Sequence, residues 1–213
     1  MSKLQLNLSK PGDVTSKLAL NLSKGEHFKV RLSWDGDTDL DLHALHAVNY
    51  NDGGGAKVSD MLDILSTYNV QRKVRGQMVG ELVKAANGTF QIHDGALTHS
   101  PDAVDGEAEG DDEWVSIQPD RLNPPAGGAI EIPLVAMIHP QTSGKTFKNV
   151  TNARVIIEDA YGKELLNVSL SSEFGAFVGV QMGSVMVDAD GSYFVPMGVG
   201  FHQNFNEVLA HFS

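Results

Sequence analysis

From residue 113 to residue 199 the chain consists of short apolar segments separated by turn signals, and that pattern most narrows what it can fold into. Residues 113–117, 129–139, 152–158, 164–169, 177–187 and 192–199 have strand length and are rich in Val, Ile, Leu and Phe. Between them stand Pro124-Pro125-Ala126-Gly127-Gly128, Tyr161-Gly162-Lys163 and Asp190-Gly191, residue types that reverse a chain. Many short strands at regular spacing predict an all-β fold, a two-sheet β-sandwich with short helical segments. The chain has 213 residues, 41% of them hydrophobic, so it can bury a substantial core without disulfides, and it has no Cys. No break in composition divides it, so one domain over 1–213 is expected.

The first half alternates as well. Residues 4–10 (LQLNLSK) and 18–24 (LALNLSK) echo each other, with Leu at every second position, and predict neighbouring strands. The first copy makes residues 1–17 an N-terminal extension. In residues 28–34, Phe28, Val30, Leu32 and Trp34 share one face. In residues 39–48, Asp39, Asp41 and His43 share one side and Leu40 and Leu42 the other. Ser59 is placed to cap a short helix over 60–65. Residues 70–86 have Val70, Val74, Met78 and Leu82 at helical spacing, but Gly76 and Gly80 each cost a helix about 1 kcal/mol. With Asn87-Gly88 as a hairpin signal, a β-ribbon is at least as well supported there. Residues 206–212 are expected to close the chain as a short helix.

The chemistry concentrates in residues 101–113, PDAVDGEAEGDDE. Asp102, Asp105, Glu107, Glu109, Asp111, Asp112 and Glu113 follow one another with no Lys or Arg between them. Gly106 and Gly110 let the backbone bend so that the carboxylates can converge. Convergence without a counter-charge costs several kcal/mol at intermediate dielectric. The segment therefore either stays solvated, the common fate of such runs, or takes up a hard cation. Two features favour the cation. The run lies mid-chain between apolar segments, and a second cluster, Asp35, Asp37, Asp39 and Asp41, lies upstream. Oxygen-only ligation is what Ca²⁺ selects, and the two clusters hold enough oxygens for one or two Ca²⁺ ions at about 6–8 ligands each.

Other constellations carry less. The run from Asp35 fails as an EF-hand loop, because Leu40 stands where Gly is required and His46 where Glu is required. Asp188-Ala189-Asp190-Gly191 reads as an ordinary hairpin turn. His43 and His46 point to opposite sides of a strand and lack an evident third partner for Zn²⁺, so both read as structural or surface histidines. There is no Gly-x-Ser-x-Gly elbow, no Walker loop and no thiol. A hydrolase holding Mg²⁺ or Mn²⁺ on the acidic cluster is the weaker alternative, since the loop has no positive residue for a phosphate. The net charge of −11 argues against nucleic acid as a partner. No apolar run approaches the roughly 20 residues that span a bilayer, and the N-terminus shows no secretory signal. A cytoplasmic protein without direct membrane insertion is expected.

These motifs together resemble the TerD family of tellurium-resistance and stress-response proteins. LALNLSKGE (18–26) is similar to the family's opening strand and Lys-Gly turn. SWD (33–35) with DLDLHA (39–44) is similar to its Gly-Trp-Asp and Asp-Leu-Asp-Ala elements. Ser59-Asp60, Tyr68-Asn69, the acidic HSPDAVDGEAEGDDE (99–113), IHPQTSGKTFKNVTNARVIIED (138–159) and Gly198-Val199-Gly200 follow in the family's order. The chain is identified as a divergent member, with Ser33 in place of the family's Gly and an insertion around 70–94. The resemblance implies a Ca²⁺-binding β-sandwich without enzymatic activity. It implies Asp39, Asp41, Asp102, Glu107, Glu109, Asp111, Asp112 and Glu113 as metal ligands, with Asn69 nearby. Protein partners or self-association are also expected. The alternative is a structural or assembly protein, such as a phage virion component, that reuses the same fold. In that case the exposed strand at 4–10 would pair with another subunit.

Overall fold

The computed structural model describes residues 18–19, 26–107, 112–142 and 144–213. The N-terminal strand at 4–10 therefore lies outside the described residues, as does most of its echo. The described strands, in chain order, are β1 (Leu18–Ala19), β2 (Phe28–Asp35), β3 (Leu40–Leu45), β4 (Ala47–Asn49), β5 (Ile64–Leu65), β6 (Arg72–Val74), β7 (Gln77–Val79), β8 (Phe90–Ile92), β9 (Leu97–His99), β10 (Glu113–Ile117), β11 (Ala129–Ile138), β12 (Thr151–Glu158), β13 (Glu164–Ser169), β14 (Gly179–Asp188) and β15 (Gly191–Phe201). Two short helices, α1 (Leu170–Glu173) and α2 (Phe205–Leu209), accompany them.

Two antiparallel sheets face each other, as the turn-spaced segments predict. One runs β1-β15-β14-β11-β3-β5, with β4 also paired to β11, and the other runs β13-β12-β2-β10-β9-β8. The main core lies between them. Phe28, Val30, Leu32 and Trp34 of β2 and Val115 and Ile117 of β10 meet Leu40, Leu42 and Ala44 of β3 and Ile130, Ile132 and Leu134 of β11. Alternation in β2 follows from this, since one side enters the core and the other does not.

β11 departs from alternation, and the reason is a second, smaller core. Val135 and Met137 point away from the sandwich and pack with Leu45, Ile64, Phe201 and the Phe205 and Val208 side chains of α2. A strand covered on both faces reads as a continuous apolar run. Among the described residues no helix is long and apolar enough to cross a membrane.

One local expectation changes and one open alternative is decided. The helix expected over 60–65 shrinks to a single 3₁₀ turn, Met61–Asp63, capped by Asp60 rather than Ser59. Ile64 and Leu65 leave it to pair with Leu45 and Ala44 of β3, so sheet pairing overrides local helical preference. Residues 70–86 do not form a helix. They contain the hairpin β6–β7, which turns at Arg75 and Gly76, both at positive φ.

Candidate metal centre

The site begins at an open edge. β3 is bordered by β11 from Leu40 to Ala44, but on its other side β5 reaches only Ala44 and Leu45. The backbone of Leu42 would be left unpaired there, at a cost of about 1–3 kcal/mol for each buried group. Two side chains from the opposite sheet take the missing strand's place. The Leu42 N–H donates to Glu113 Oε2 at 2.6 Å. His99 Nε2 meets the Leu42 carbonyl at 2.8 Å. Glu113 opens β10 and His99 closes β9, and both are fully buried.

Glu113 also reaches back to Ala103. Its Oε1 accepts a long bond, 3.4 Å, from the Ala103 N–H. The oxygens of Asp41, Asp102 and Glu113 come together here, one atom from each lying within 4.8 Å of the others. Asp41 is on β3 next to Leu42 and points away from the main core. Thr67 Oγ1 donates to its Oδ1 at 2.7 Å and the Tyr68 hydroxyl to its Oδ2 at 2.6 Å. Asp39 stands at the start of the same strand, 3.6 Å from His139 Nδ1. Its Oδ1 is buried and makes no hydrogen bond among the described residues.

The electrostatics disfavour the charged forms of these carboxyls. Burial pushes the Asp41 carboxyl up to about 6, and the Tyr68 and Thr67 hydroxyls only partly offset this. Burial raises Glu113 well above the carboxylate range, and the charge on Asp41 adds to it. Asp39 is raised by burial and, more weakly, by Asp102 and Asp105, while His139 opposes the shift. Burial pushes the His99 imidazole down, but its two nitrogens face two carbonyls, Leu42 and Ser100, which pull the other way. Lys84 approaches Asp102 at 3.9 Å from the solvent side.

The other expected ligands are placed as follows. Asp112 is buried and accepts the Trp34 N–H on Oδ2 at 2.9 Å, which ties the acidic segment to β2. Glu107 is exposed, and its N–H donates to Asp105 Oδ1 at 3.3 Å. The Asn69 amide is engaged with backbone: Nδ2 donates to Met61 and Ile64, and Oδ1 accepts from the Glu81 N–H. Glu109 and Asp111 lie outside the described residues. Gly106 seats the segment on β2 in another way. Its N–H donates to Gly36 at 2.9 Å. A Cβ at that position would meet the Trp34 carbonyl oxygen at 2.4 Å and its ring at 2.5 Å.

Two contributors were not apparent in the sequence. The Thr67 hydroxyl and the Leu42 backbone enter the site only because β5 stops short. Tyr68, known from the sequence only as part of the Tyr-Asn element, supplies the second hydroxyl on Asp41. Beyond its ring lies a cleft of about 270 Å³ lined by Met61, Phe205 and Leu209 among others.

Comparison with known proteins bears on this arrangement. Residues 71–212 match the family model described as the TerD domain. Over 91 residues the chain is 33% identical to tellurium resistance protein TerZ of Serratia marcescens, a stretch that covers 43% of this chain and 44% of that relative. The match thus spans less than half of the curated relative's length. A solved structure of a homologue of telluride resistance protein (TerD) from Streptomyces coelicolor A3(2) superposes with a TM-score of 0.63. It is 19% identical, and the match covers 86% of this chain and 95% of that one. Another, of a protein of unknown function, gives a TM-score of 0.64 at 18% identity, covering 86% of this chain and 94% of that one. At such identities these two likenesses speak for the fold.

Proposed function

The chain belongs to the TerD family, and from that premise we propose that it is a non-enzymatic Ca²⁺-binding module of the tellurium-resistance and stress-response type. The observation that carries the reading is the convergence of Asp41 of β3 with Asp102 and Glu113, which stand near the two ends of the acidic segment. Two of these carboxylates are almost completely buried. A fold retains such a group of like charges only if something offsets them.

The donor set fits Ca²⁺. All the atoms are oxygens, and opposite ligands around Ca²⁺ stand about 5 Å apart, twice a bond of about 2.3–2.6 Å. Oxygens lying within 4.8 Å of one another can share one such ion. Asp39 Oδ1, buried and without a hydrogen bond among the described residues, is the fourth candidate ligand. The bound cation would supply the positive charge that the buried carboxylates lack. The residues do the rest. Thr67 and Tyr68 orient Asp41, the Leu42 N–H orients Glu113, and Asp102 closes the site from the solvent side. In this reading the module acts in the cytoplasm through protein partners or self-association.

The test is thermal melting of the full chain in Ca²⁺, in Mg²⁺ and in chelator. A ligand that binds only the folded state adds about 2.7 kcal/mol at a hundredfold excess over Kd. For a chain of this length that is roughly 5–10 °C in Tm. Identical melting in Ca²⁺ and chelator contradicts the reading, and a larger shift in Mg²⁺ than in Ca²⁺ overturns the choice of ion.

A further inference from the structure

A second constellation lies apart from the carboxylates, and none of its members belongs to that group. His46 fills the break between β3 and β4, Asp63 ends the 3₁₀ turn Met61–Asp63, and His93 follows β8. Ligand atoms of the three lie within 4.8 Å of one another. His46 Nδ1 is 3.2 Å and His93 Nε2 is 2.9 Å from the same oxygen, Asp63 Oδ1. We propose that His46, Asp63 and His93 form a binding site for a borderline divalent transition cation of the Zn²⁺ class.

The carboxylate is held in place for this. Its Oδ2 accepts the Ser59 N–H at 3.2 Å and the Asp60 N–H at 3.0 Å, which leaves Oδ1 for the imidazoles. Such outer bonds fix the orientation of a metal ligand. The His46 N–H donates to the Asp63 carbonyl at 2.8 Å, which locks the two residues together. His93 and Asp94 both have positive φ, and this backbone carries the His93 ring over His46. The two ring centroids are 3.8 Å apart.

One atom lacks a hydrogen bond. His46 is 8% exposed, and its Nδ1 is buried and makes no hydrogen bond among the described residues, although it faces Asp63. A cation placed between this nitrogen and the Asp63 carboxylate would bond to both.

The spacing is close to what such a cation needs. Bonds of about 2.0–2.1 Å in a tetrahedron put ligand atoms roughly 3.3 Å apart. The 3.2 Å separation of His46 nearly meets this, and the 2.9 Å separation of His93 requires a shift of a few tenths of an ångström. Two nitrogens and one oxygen suit Zn²⁺ or Co²⁺ and do not suit Ca²⁺ or Mg²⁺. The His93 side chain is 33% exposed, so the fourth position opens to solvent, where water or a small ligand can complete the shell.

The experiment adds Co²⁺ to the untagged full chain with Ca²⁺ in excess, so that the carboxylates are occupied. One equivalent should give the intense visible bands of tetrahedral Co²⁺, and Zn²⁺ should displace them. His93→Gln, a change at the solvent edge, should weaken Co²⁺ binding at least tenfold while far-UV circular dichroism and Tm stay unchanged. His46→Gln should do the same, and Asp102→Asn should leave Co²⁺ binding as it is. Weak, octahedral, aquo-like bands, or equal affinity in His93→Gln and the parent chain, overturn the proposal. So does loss of Co²⁺ binding in Asp102→Asn with His93→Gln unaffected, which would place the ion among the carboxylates.

Discussion

Replacing Asp41 by Asn should change stability in opposite directions with and without Ca²⁺. In metal-free protein the buried carboxyl titrates near 6 rather than its usual 3.8. A folded-state value above the unfolded one means that the proton stabilises the fold. The cost of ionisation is absent below pH 3.8, grows as pH rises through about 6, and is complete at pH 7. At about 1.4 kcal/mol per tenfold change in proton affinity, that cost is roughly 3 kcal/mol. Asn carries no charge, still accepts from one of the Thr67 and Tyr68 hydroxyls, and donates to the other. Its weaker hydrogen bonds return about 1–2 kcal/mol of that gain. In chelator at pH 7 the variant should therefore be more stable by about 1–2 kcal/mol. With Ca²⁺ at a thousandfold excess over Kd the parent gains about 4 kcal/mol, the variant gains little, and the order reverses. Urea unfolding at fixed m-value reads both arms. If Asp41→Asn is less stable by the same amount in chelator and in Ca²⁺, Asp41 is only a hydrogen-bond acceptor and the reasoning fails.

Three further outcomes follow from the same geometry. Gly106→Ala places a methyl against Trp34; it should cost about 1–3 kcal/mol and weaken Ca²⁺ binding, and an unchanged urea midpoint would show that the acidic segment is not seated there. The fluorescence of Trp34 and Trp114, which flank that seat, should change on Ca²⁺ addition and return with chelator; an indifferent spectrum contradicts the coupling of segment and ion. Burial raises the Glu131 carboxyl above its usual 4.5, with the Ser184 hydroxyl opposing. Its stabilising share is present at low pH and lost as pH rises, so Glu131→Gln should gain Tm relative to the parent between pH 4 and pH 8, and a constant difference would refute this.

Strands that carry their own alternation were legible, and β2 is the clear case; β8 and β9, three residues each, were not read as strands. β11 is continuous because α2 covers its outer face, which no local pattern announces. The helix expected over 60–65 failed for a related reason: Ile64 and Leu65 are claimed by β3, a partner about twenty residues away in sequence. In the site, Asp41, Asp102 and Glu113 stood out as carboxylates without counter-charge. The roles of Leu42, Thr67 and His99 depend on where β5 ends, so nothing at those positions could reveal them. His46 seemed to lack a third partner because Asp63 and His93 come from a turn and a connection that only the folded sheet edge brings beside it. His43, read as structural or surface, is buried between the Tyr68 and Phe205 rings.

Calorimetric titration of Ca²⁺ into chelator-stripped protein tests the central claim most directly. Binding heat at or below millimolar Ca²⁺ is expected, with a stoichiometry of one or two. In Asp102→Asn, whose side chain lies at the solvent edge of the site, the affinity should fall at least tenfold while the fold is kept. No heat up to millimolar Ca²⁺, or heat that Asp102→Asn leaves unaltered, would mean that the convergent carboxylates are not a calcium site.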